Sequence, residues 1–506
     1  MTVIVRSPAW APCHGCGAFR RRRRCQPSRT SAGLLDLFRG GSEAQTLPEE
    51  PQGTALLRWL EGRGLPPQKL AAVAVPGAGR GLAATQPISK GEALLRIPQQ
   101  LVITPAAAAQ QSSLAPLLES TPLPAWSVLA LWLAEARAAG PAGEWWPYIQ
   151  LLPDHTGSVL EWSEDEVGWL AGSQLAEAAA EIRGAAAASW QEMQPLLAQA
   201  AAAGLGPPGA FSREALQSAF SMLLSRLVRL PSLGLGPPSA AAGQARQAQQ
   251  AGAAGEPPGT EALLPWADLL NHSPASTAFL DWDPAEAAVV LRTDRRYWPG
   301  EEVHISYGQK TGGELLLSYG FTPKPADNPH DGCKLRLALR PGDPAAPAKA
   351  AALAAFGMGP SQLFPLRMAA APFELVHYAA LAAAEVGSEQ EAGQLAQRLF
   401  GAGDIPPTLQ QPALEAVVAA CQAAMKAYPS SLEADRAELA KLEAADAAEA
   451  AAAAGQRQSG GSDAGQQRRQ RRHQVLQVLV YERQVLARTA FVLQQELKDL
   501  RRMAGR

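Results

Sequence analysis

The sequence has few cysteines, almost no net charge and no long apolar run. Only five cysteines occur among 506 residues, an odd number, and of these only Cys333 and Cys421 lie in the part expected to fold. A disulfide framework is therefore not expected. The formal net charge of −2 provides no global field for recruiting nucleic acid or an anionic membrane. Since no uninterrupted apolar stretch reaches the roughly 18 residues of a spanning helix, a soluble chain is expected.

Several common site motifs are also missing. The part expected to fold has no G-x-S-x-G, Walker A or H-E-x-x-H sequence and no paired zinc-binding cysteines. The run Gly77–Gly81 is a G-x-G-x-G, and strand-like residues follow it where a dinucleotide site requires a helix. Cys13 and Cys16 form a C-x-x-C that could be half a zinc site, but no second pair follows at useful spacing. No metal site is predicted.

The composition indicates a folded protein of more than one domain. Apolar residues make up 47% and charged residues 18% of the chain, which is ordinary for a globular protein. A length of 506 residues exceeds what one hydrophobic core usually supports, so two domains with tails are expected. Residues 232–260, rich in Gly, Pro, Ala and Gln, predict a disordered insertion, and a second low-complexity stretch covers residues 443–470.

Residues 1–45 are predicted to be a transit peptide or a disordered leader. Between Met1 and Ser42 the only acidic residue is Asp36, whereas arginines are frequent and include the run Arg20–Arg24. This composition is typical of import into an organelle, with the chloroplast stroma as first choice and the mitochondrion as second. A disordered basic arm or a nuclear-localisation run is the alternative, which would place the protein in the cytoplasm or nucleus.

Hydrophobic periodicity and turn residues predict the main elements. Helices are predicted at 54–65, 126–139, 212–227 and 313–319, the third with Ser212 as its N-cap. The predicted β-structure is a hairpin of the residues after the glycine run with Ala93–Ile97, a second hairpin over 277–293, and a strand over 302–307.

The residues beyond 324 are predicted to be helical. Leu479, Leu486, Leu493 and Leu500 recur at every seventh position near the end of the chain. Such a run is compatible with a coiled coil, but one this short more often belongs to a helix that packs within its own domain. The arginine cluster at 468–472 is predicted to be solvated at the start of that helix rather than to bind nucleic acid.

Five short groups of residues follow one another in a definite order. They are Gly79-Arg80-Gly81-Leu82 with Gly91-Glu92 and Ile97-Pro98; Ser225-Arg226; residues 265–273, which include Asn271-His272; residues 300–308, which end in Tyr307-Gly308; and residues 314–321, which end in Tyr319-Gly320-Phe321. Taken singly, each has a simple explanation. Asn271-His272 could be a capped turn, the two tyrosines core aromatics and Arg226 a surface charge.

Taken together and in this order, the groups resemble the SET-domain methyltransferases, in particular the branch of the Rubisco large-subunit methyltransferase. The resemblance covers residues 55–323. It implies an α+β fold, in which a SET domain of short β-hairpins and sheets has a threaded, pseudoknot-like C-terminal segment and a helical insertion at 105–260. Residues 325–503 resemble the all-α substrate-binding domain of that branch.

The resemblance also implies a reaction and a set of site residues. The reaction is methyl transfer from S-adenosylmethionine to a lysine amine of a protein, which requires alignment of two ligands and desolvation of the amine. The implied catalytic residues are Tyr307 and Tyr319. The implied cofactor-binding residues are Glu92, Leu94, Arg226, Asp268, Leu269, Asn271, His272, Tyr307 and Phe321. The implied substrate-binding residues are Ser225, Arg226, Asp268 and Tyr319.

The expected partner follows from the resemblance and from the leader. Nothing like C-x-C follows Phe321, so the zinc-binding flanks of histone-directed SET enzymes are missing. Together with the leader, this favours a plastid stromal protein, such as the Rubisco large subunit or fructose-bisphosphate aldolase. A histidine of actin or a nuclear protein is an alternative target, and a catalytically silent SET fold that binds protein partners is a further alternative. Trp266 departs from the family pattern, in which a smaller or more flexible apolar residue is frequent.

Overall fold

The computed structural model describes residues 48–230, 260–369, 373–453 and 464–504. The predicted leader at 1–45, with Cys13 and Cys16, lies outside these residues. The predicted insertion at 232–260, apart from its last residue, and the middle of the low-complexity stretch also lie outside them. These predictions therefore stay predictions.

The strands in the described residues pair into small sheets. They are β1 Leu70–Val75, β2 Gly79–Ala84, β3 Ala93–Pro98, β4 Val228–Leu230, β5 Thr260–Ala262, β6 Asn271–His272, β7 Leu280–Asp283, β8 Ala288–Arg292, β9 His304–Ile305, β10 Cys333–Ala338 and β11 Ser361–Leu366.

Most of the remaining described residues are helical. The α-helices are α1 Pro51–Glu61, α2 Pro105–Gln111, α3 Ala115–Ser120, α4 Ala125–Ala139, α5 Trp146–Ile149, α6 Glu164–Gly168, α7 Gln174–Ala202, α8 Arg213–Arg226, α9 Gly312–Tyr319, α10 Ala346–Ala354, α11 Phe373–Ala383, α12 Glu389–Ala396, α13 Pro407–Lys426, α14 Leu432–Ala453 and α15 Ala464–Ala504. In this part of the chain, no helix combines the length and apolarity needed to cross a membrane.

The four helices predicted in the first two thirds of the chain are confirmed as α1, α4, α8 and α9. Ser212 is the N-cap of α8, and its side chain accepts a hydrogen bond from the backbone N–H of Ala215. This bond satisfies one of the N–H groups that a helix start leaves without an intrahelical partner. Local signals were therefore sufficient to place these helices within a few residues.

The first predicted hairpin has the wrong partners. β2 pairs antiparallel with β1, across the turn at Gly77, whereas β3 pairs antiparallel with β8, almost two hundred residues further on. Strand periodicity indicates that a segment is extended and partly buried, but it does not indicate which strand lies beside it. The second predicted hairpin is confirmed, since β7 pairs with β8 across the turn after Asp283.

A crossing of two chain segments lies at the centre of the first domain. β6 and β9 pair in parallel over only two residues each, and the β7–β8 hairpin lies in the connection between them. The segment before β9 also pairs with β2, because Val303 donates to the carbonyl of Leu82 at 2.8 Å. The strand predicted at 302–307 is therefore shorter than expected. Its residues are threaded between two strands, as the implied fold requires.

Helices α2–α8 form the insertion between β3 and β5. Of these, α2–α5, α8 and the second half of α7 share one core with the strands, whereas the start of α7 packs into the second core. The large side chains buried in this core include Trp132, Trp145, Tyr148, Phe220, Trp266 and Tyr297. α4 is buried on almost every side because α2, α5 and α8 all pack against it. The site residues at the end of α8 and after β5 are therefore supported by a single packed body.

A second core is built mainly from α10–α15, and it also includes Leu175 at the start of α7 and Leu316 and Leu317 of α9. The long helix α15 packs on α13 and α14, and Leu479, Leu486 and Leu493 are buried in this core. The alternative in which the helix packs within its own domain is therefore correct. The antiparallel pair of β10 and β11, which are connected through α10, is an addition to the expected all-α domain.

The arginine cluster at the start of α15 is solvated only in part, since Arg468 is exposed as predicted whereas the Arg471 side chain is 14% exposed. Arg471 donates to both carboxylate oxygens of Glu166, each at 2.7 Å, and Arg468 and Arg472 lie over the ring of Trp169. The cluster instead joins the second domain to the helical insertion of the first.

Candidate active site

Asn271 and His272 form β6, beside the crossing of the two segments. The side-chain amide of Asn271 donates to the carbonyl oxygen of Arg80 at 2.9 Å and to Oε1 of Glu302 at 2.7 Å. The Asn271 side chain therefore links β2 to the segment before β9. Gly81 permits this approach, because a Cβ there would lie 2.6 Å from Oε1 of Glu302.

The imidazole of His272 is held in its neutral form. Its Nδ1 accepts a hydrogen bond from the backbone N–H of Tyr307 at 3.0 Å, which requires Nδ1 to be unprotonated. Burial lowers the pKa of His272 to about 4, since the charged form would lose its hydration. The ring centroid lies 5.1 Å from that of Tyr307 and 6.2 Å from that of Phe321.

Tyr307 and Tyr319 stack against each other and complete an aromatic cluster with His272 and Phe321. Their ring centroids are 4.7 Å apart at an interplanar angle of 27°. The hydroxyl of Tyr307 donates to the carbonyl oxygen of Leu270 at 2.8 Å. Burial raises the pKa of Tyr307 to about 12, so the phenol stays protonated at neutral pH and acts through hydrogen bonds rather than as a base.

The short helix α9 sets the position of Tyr319. The helix begins with a capping box, in which the side chains of Thr311 and Glu314 each bind the other residue's backbone N–H. It ends at Gly320, whose φ of +73° turns the chain away from the helix axis. Tyr319 is the last helical residue, and Phe321 follows the turn, so both rings reach the cluster.

Arg226 and Asp268 form a second, charged part of the site. Arg226 is the last residue of α8, and Asp268 lies in a 3₁₀ turn at Ala267–Leu269. Nε of Arg226 is 3.9 Å from Oδ2 of Asp268, and the hydroxyl of Tyr148 donates to that same oxygen at 2.5 Å. Burial raises the pKa of Asp268 to about 6, against the attraction of Arg226. Asp268 therefore carries a charge at neutral pH, in a place with little water.

Trp266 precedes this turn in a strained backbone conformation. Its φ is +79°, a region that side chains with a Cβ rarely adopt, and its side chain is fully buried. The indole Nε1 is buried without a hydrogen-bond partner among the described residues. Trp266, which departs from the family pattern, thus lies two residues before Asp268. Packing holds its backbone in this strained conformation.

The other predicted site residues occupy several environments. The hydroxyl of Ser225 donates to the carbonyl of Met222 and accepts from Arg226, and Leu269 is buried in the first core. Glu92 is bound by Lys69 at 2.6 Å and by the backbone of Ser89 at 3.0 Å.

Leu94 lies at a β-bulge. The register of β3 against β8 shifts between Ala93 and Leu95, so Leu94 has no partner in that ladder. Its backbone is thus a part of β3 that does not pair with β8. The side chain of Glu92 is already engaged by Lys69 and the backbone of Ser89, which is compatible with a backbone contact to the cofactor.

The orphaned polar atoms of this site fit the amino-acid end of S-adenosylmethionine. Nε of Arg226 and Oδ1 of Asp268 are both buried and have no hydrogen-bond partner in the described part of the chain. Such atoms are costly unless a ligand pairs them. A ligand with both a carboxylate and an ammonium group matches this pair of opposite charges. Among the residues described, no group of three or more His, Cys, Asp or Glu side chains is placed to hold a metal ion.

Three residues of the site were not predicted from the sequence. Tyr148 binds Asp268, Glu302 binds Asn271, and Lys310 lies with its Nζ 6.0 Å from the ring centroid of Tyr319. Glu302 lies within the group of residues 300–308, and Lys310 lies two residues after it. Their closeness in sequence to Tyr307 was therefore the signal that could have indicated them. For Tyr148 no local signal exists, because its partner is 120 residues away.

Comparison with known families gives two matches that follow each other along the chain. The model of the SET domain matches residues 79–308, and the model described as Rubisco LSMT substrate-binding matches residues 340–486. The first range contains both Asn271-His272 and Tyr307-Gly308, and the second contains most of the helical second domain.

Individual proteins that are similar to this chain also have names of SET-domain proteins or methyltransferases. The human SET domain-containing protein 4 is 29% identical over 301 residues, which cover 58% of this chain and 63% of that protein. The actin-histidine N-methyltransferase of Danio rerio is 27% identical over 300 residues, 58% of this chain and 46% of that protein. The chain thus matches about half to three fifths of the length of these relatives.

The fold has a close counterpart among solved structures. The SET domain of LSMT bound to lysine and AdoHcy superposes with a TM-score of 0.65 at 22% identity, over 89% of this chain and 92% of the other. The expected α+β architecture is therefore confirmed over both domains. The chain therefore contains a SET domain followed by a domain of the Rubisco LSMT substrate-binding type, and it has the fold of the LSMT structure.

Proposed function

We propose that this chain is an S-adenosylmethionine-dependent protein methyltransferase that modifies a lysine side chain. The observation on which this depends most is the stacked pair of Tyr307 and Tyr319, with the Tyr307 hydroxyl fixed on the carbonyl of Leu270. Two aromatic rings and a protonated phenol form a wall that can enclose an aliphatic chain ending in an amine. The same wall adjoins the charged pair that fits the cofactor.

The residues around the cofactor have distinct tasks in this proposal. When bound, S-adenosylmethionine supplies an activated methyl group. Arg226 holds its carboxylate and Asp268 its ammonium, since each has a buried atom without a partner. His272 and Phe321 present ring faces to the adenine, and the backbone at Asn271 and at the Leu94 bulge supplies further contacts.

The aromatic cluster prepares the amine for reaction. Removing a lysine ammonium from water lowers its pKa and favours the neutral nucleophile. The rings of Tyr307 and Tyr319 exclude water from the amine, and they stabilise the positive charge that develops on the nitrogen as it takes up the methyl group. Because the Tyr307 phenol remains protonated, it orients the nitrogen and does not remove its proton. The reaction needs alignment and desolvation more than a strong base.

Histidine is a second candidate target. Relatives named actin-histidine N-methyltransferase match about three fifths of this chain, and stacked rings such as Tyr307 and Tyr319 can also hold a planar imidazole. We favour lysine because the second domain matches the Rubisco LSMT substrate-binding model. Solved relatives with the same two-domain fold are described as bound to lysine or monomethyllysine.

The substrate is proposed to be a plastid stromal protein, with the Rubisco large subunit and fructose-bisphosphate aldolase as first candidates. The arginine-rich leader at 1–45 and the type of the second domain support this proposal. A nuclear protein is the alternative if the leader acts as a nuclear-localisation run. Stromal and nuclear extracts should therefore be tested side by side.

The test is to incubate the purified full-length protein with methyl-labelled S-adenosylmethionine and each extract, and to locate the label by mass spectrometry. We expect label on one lysine of a stromal protein. Label on histidine would overturn the lysine assignment. Binding of the cofactor without transfer to any protein would instead support a catalytically silent, partner-binding SET fold.

A further inference from the structure

Tyr148 lies deep in the helical insertion, yet its hydroxyl reaches the charged part of the site. Tyr148 belongs to the short helix α5, and its side chain is fully buried. The hydroxyl donates to Oδ2 of Asp268 at 2.5 Å, whereas Nε of Arg226 stays 3.9 Å from the same oxygen. Among the residues that the structure describes, Tyr148 is thus the one side chain that donates a hydrogen bond to this carboxylate.

The residues on either side of Tyr148 hold it in place. Before it, the ring of Trp145 packs edge-on against that of Trp59, with the centroids 5.1 Å apart. After it, the carbonyl oxygen of Leu151 accepts a hydrogen bond from Nη1 of Arg80 at 3.1 Å. The helix is therefore anchored at both ends, so its phenol can hold the carboxylate in one orientation.

The two oxygens of the Asp268 carboxylate differ in what they bind. Oδ2 accepts from Tyr148, whereas Oδ1 is buried and has no hydrogen-bond partner in the described part of the chain. Burial raises the pKa of Asp268 to about 6, while the attraction of Arg226 and the hydrogen bond from Tyr148 both lower it. The pKa of Tyr307 is raised by burial and also by the charge of Asp268, so Tyr307 is a neutral neighbour. Without the Tyr148 hydroxyl, Asp268 would ionise less readily and Oδ1 would lose its fixed direction.

We infer that Tyr148 is a positioning residue of the cofactor site: its hydroxyl holds Oδ2 of Asp268, so that the carboxylate stays ionised and presents Oδ1 to the ammonium group of S-adenosylmethionine. This inference rests on the proposed function, because it takes Asp268 as the partner of that ammonium. Tyr148 contacts no ligand in this arrangement and acts through the carboxylate alone. Its phenol remains a donor at neutral pH, because burial and the charge of Asp268 raise its pKa.

The experiment measures the affinity of the full-length protein for S-adenosylmethionine by calorimetry at pH 6.5 and pH 8.5. We expect Tyr148→Phe to bind about tenfold more weakly than wild type at pH 6.5, as for the loss of one charge-assisted hydrogen bond. At pH 8.5 the difference should shrink to about threefold or less, because Asp268 is then ionised in both proteins. The two proteins are compared at the same pH, so titration of the cofactor's own amine affects both equally.

Further variants separate this role from packing. In an Asp268→Asn background, Tyr148→Phe should change the affinity by less than about twofold at either pH, since the charge that the phenol stabilises is gone. A fluorotyrosine at position 148 keeps the ring and strengthens the donor, so that protein should bind more tightly than wild type at pH 6.5. Tyr428→Phe is the matched control with unchanged affinity, because its hydroxyl also donates to a buried carboxylate, that of Glu482 at 3.0 Å, but at the junction of the domains.

Each outcome decides the inference. A Tyr148→Phe protein that binds as tightly as wild type, or that loses the same factor at both pH values, overturns it. A loss that is fully retained in the Asp268→Asn background also overturns it. Should Tyr148→Phe not fold, the fluorotyrosine protein decides, and an unchanged affinity at pH 6.5 is the contrary result. If wild type binds no cofactor, the proposed function fails as well. If the expected differences appear but no protein is methylated, the role of Tyr148 stands and the proposed function alone fails.

Discussion

Burial sets the protonation of the residues that line the site. His272 is neutral and accepts from the backbone of Tyr307, and Tyr307 keeps its proton. Asp268 titrates near the lower edge of the physiological range. The aromatic part of the site is therefore uncharged at neutral pH, whereas Arg226 and Asp268 concentrate opposite charges at the proposed cofactor end.

Replacing Tyr307 with Phe tests the role of the phenol. We expect methyl transfer to fall by at least about a hundredfold, as when one pre-organised donor is removed from an active site. The affinity for S-adenosylmethionine, measured by calorimetry, should change little, because the ring and the His272 contact remain. Tyr378→Phe is a matched control, since that hydroxyl also donates to a backbone carbonyl, of Pro360 at 2.8 Å, but in the second domain. Full activity in Tyr307→Phe would refute the catalytic assignment.

Asp268 should make the stability of the protein depend on pH. Its pKa rises from 3.8 to about 6 on folding, so its favourable contribution is complete below pH 3.8 and is lost as the pH rises through about 6. Above that pH the buried carboxylate costs about 3 kcal/mol in the absence of ligand. Asp268→Asn should therefore be more stable than wild type at pH 8, with a difference that shrinks as the pH falls to 4.5.

Thermal unfolding of both proteins across this pH range measures the difference. Asp294→Asn provides the contrast, because hydrogen bonds from Ser276 and the backbone of Thr277 and Ala278 hold the pKa of Asp294 low despite the opposing effect of burial. That variant should lose stability at pH 8. A stability difference for Asp268→Asn that does not vary with pH would contradict the titration assigned to this residue.

Among the elements, α9 has the most direct effect on the site because its two ends are both fixed. The capping box fixes its start, and Gly320 fixes its end against the loop of the helical insertion. A Cβ at Gly320 would lie 2.2 Å from the carbonyl oxygen of Thr156. The ring of Tyr319 is therefore positioned by a backbone contact that only glycine permits.

Gly320→Ala should destabilise the protein by about 2–4 kcal/mol, since both its φ of +73° and the contact with Thr156 oppose a Cβ. Gly357→Ala is the matched control. Gly357 has a φ of +71° with no atom within 4 Å of its Cβ position, so only the conformational cost of about 1 kcal/mol applies. Urea unfolding measures both changes. Equal losses in the two variants would show that the Thr156 contact does not matter.

At the scale of the whole molecule, buried polar contacts join the two domains. Besides the pair of Arg471 with Glu166, the carboxylate of Glu482 accepts from Ser173 at 2.7 Å and from Tyr428 at 3.0 Å. Ser173 belongs to the insertion of the first domain and Glu482 to α15. The second domain is therefore held in one orientation beside the site.

Arg471→Gln should lower the free energy of unfolding by about 3 kcal/mol, because Glu166 would remain buried without its cation. The side chains of the pair are only 14% and 7% exposed. Arg502→Gln is the control, since its pair with Asp499 is exposed and should contribute little. In calorimetry, the double variant Glu166→Gln/Arg471→Gln should recover part of the loss. No recovery would mean that the arginine acts through packing alone.

The sequence by itself determined the local elements and the family. Helix α8 with its Ser212 cap, the β7–β8 hairpin and the leucine face of α15 all depend on residues within one or two turns of each other, so propensity and periodicity encode them. The order of the short motifs was enough to indicate a SET domain followed by a helical domain. It also identified Tyr307 and Tyr319, whose stacking the structure then showed.

Only the tertiary structure decided which distant residues meet. The pairing of β3 with β8, the bond from Tyr148 to Asp268 across 120 residues and the pair of Arg471 with Glu166 each require the whole chain to close. A sequence pattern shows which polar groups are present. Whether each of them has a hydrogen-bond or ion-pair partner depends on the folded structure.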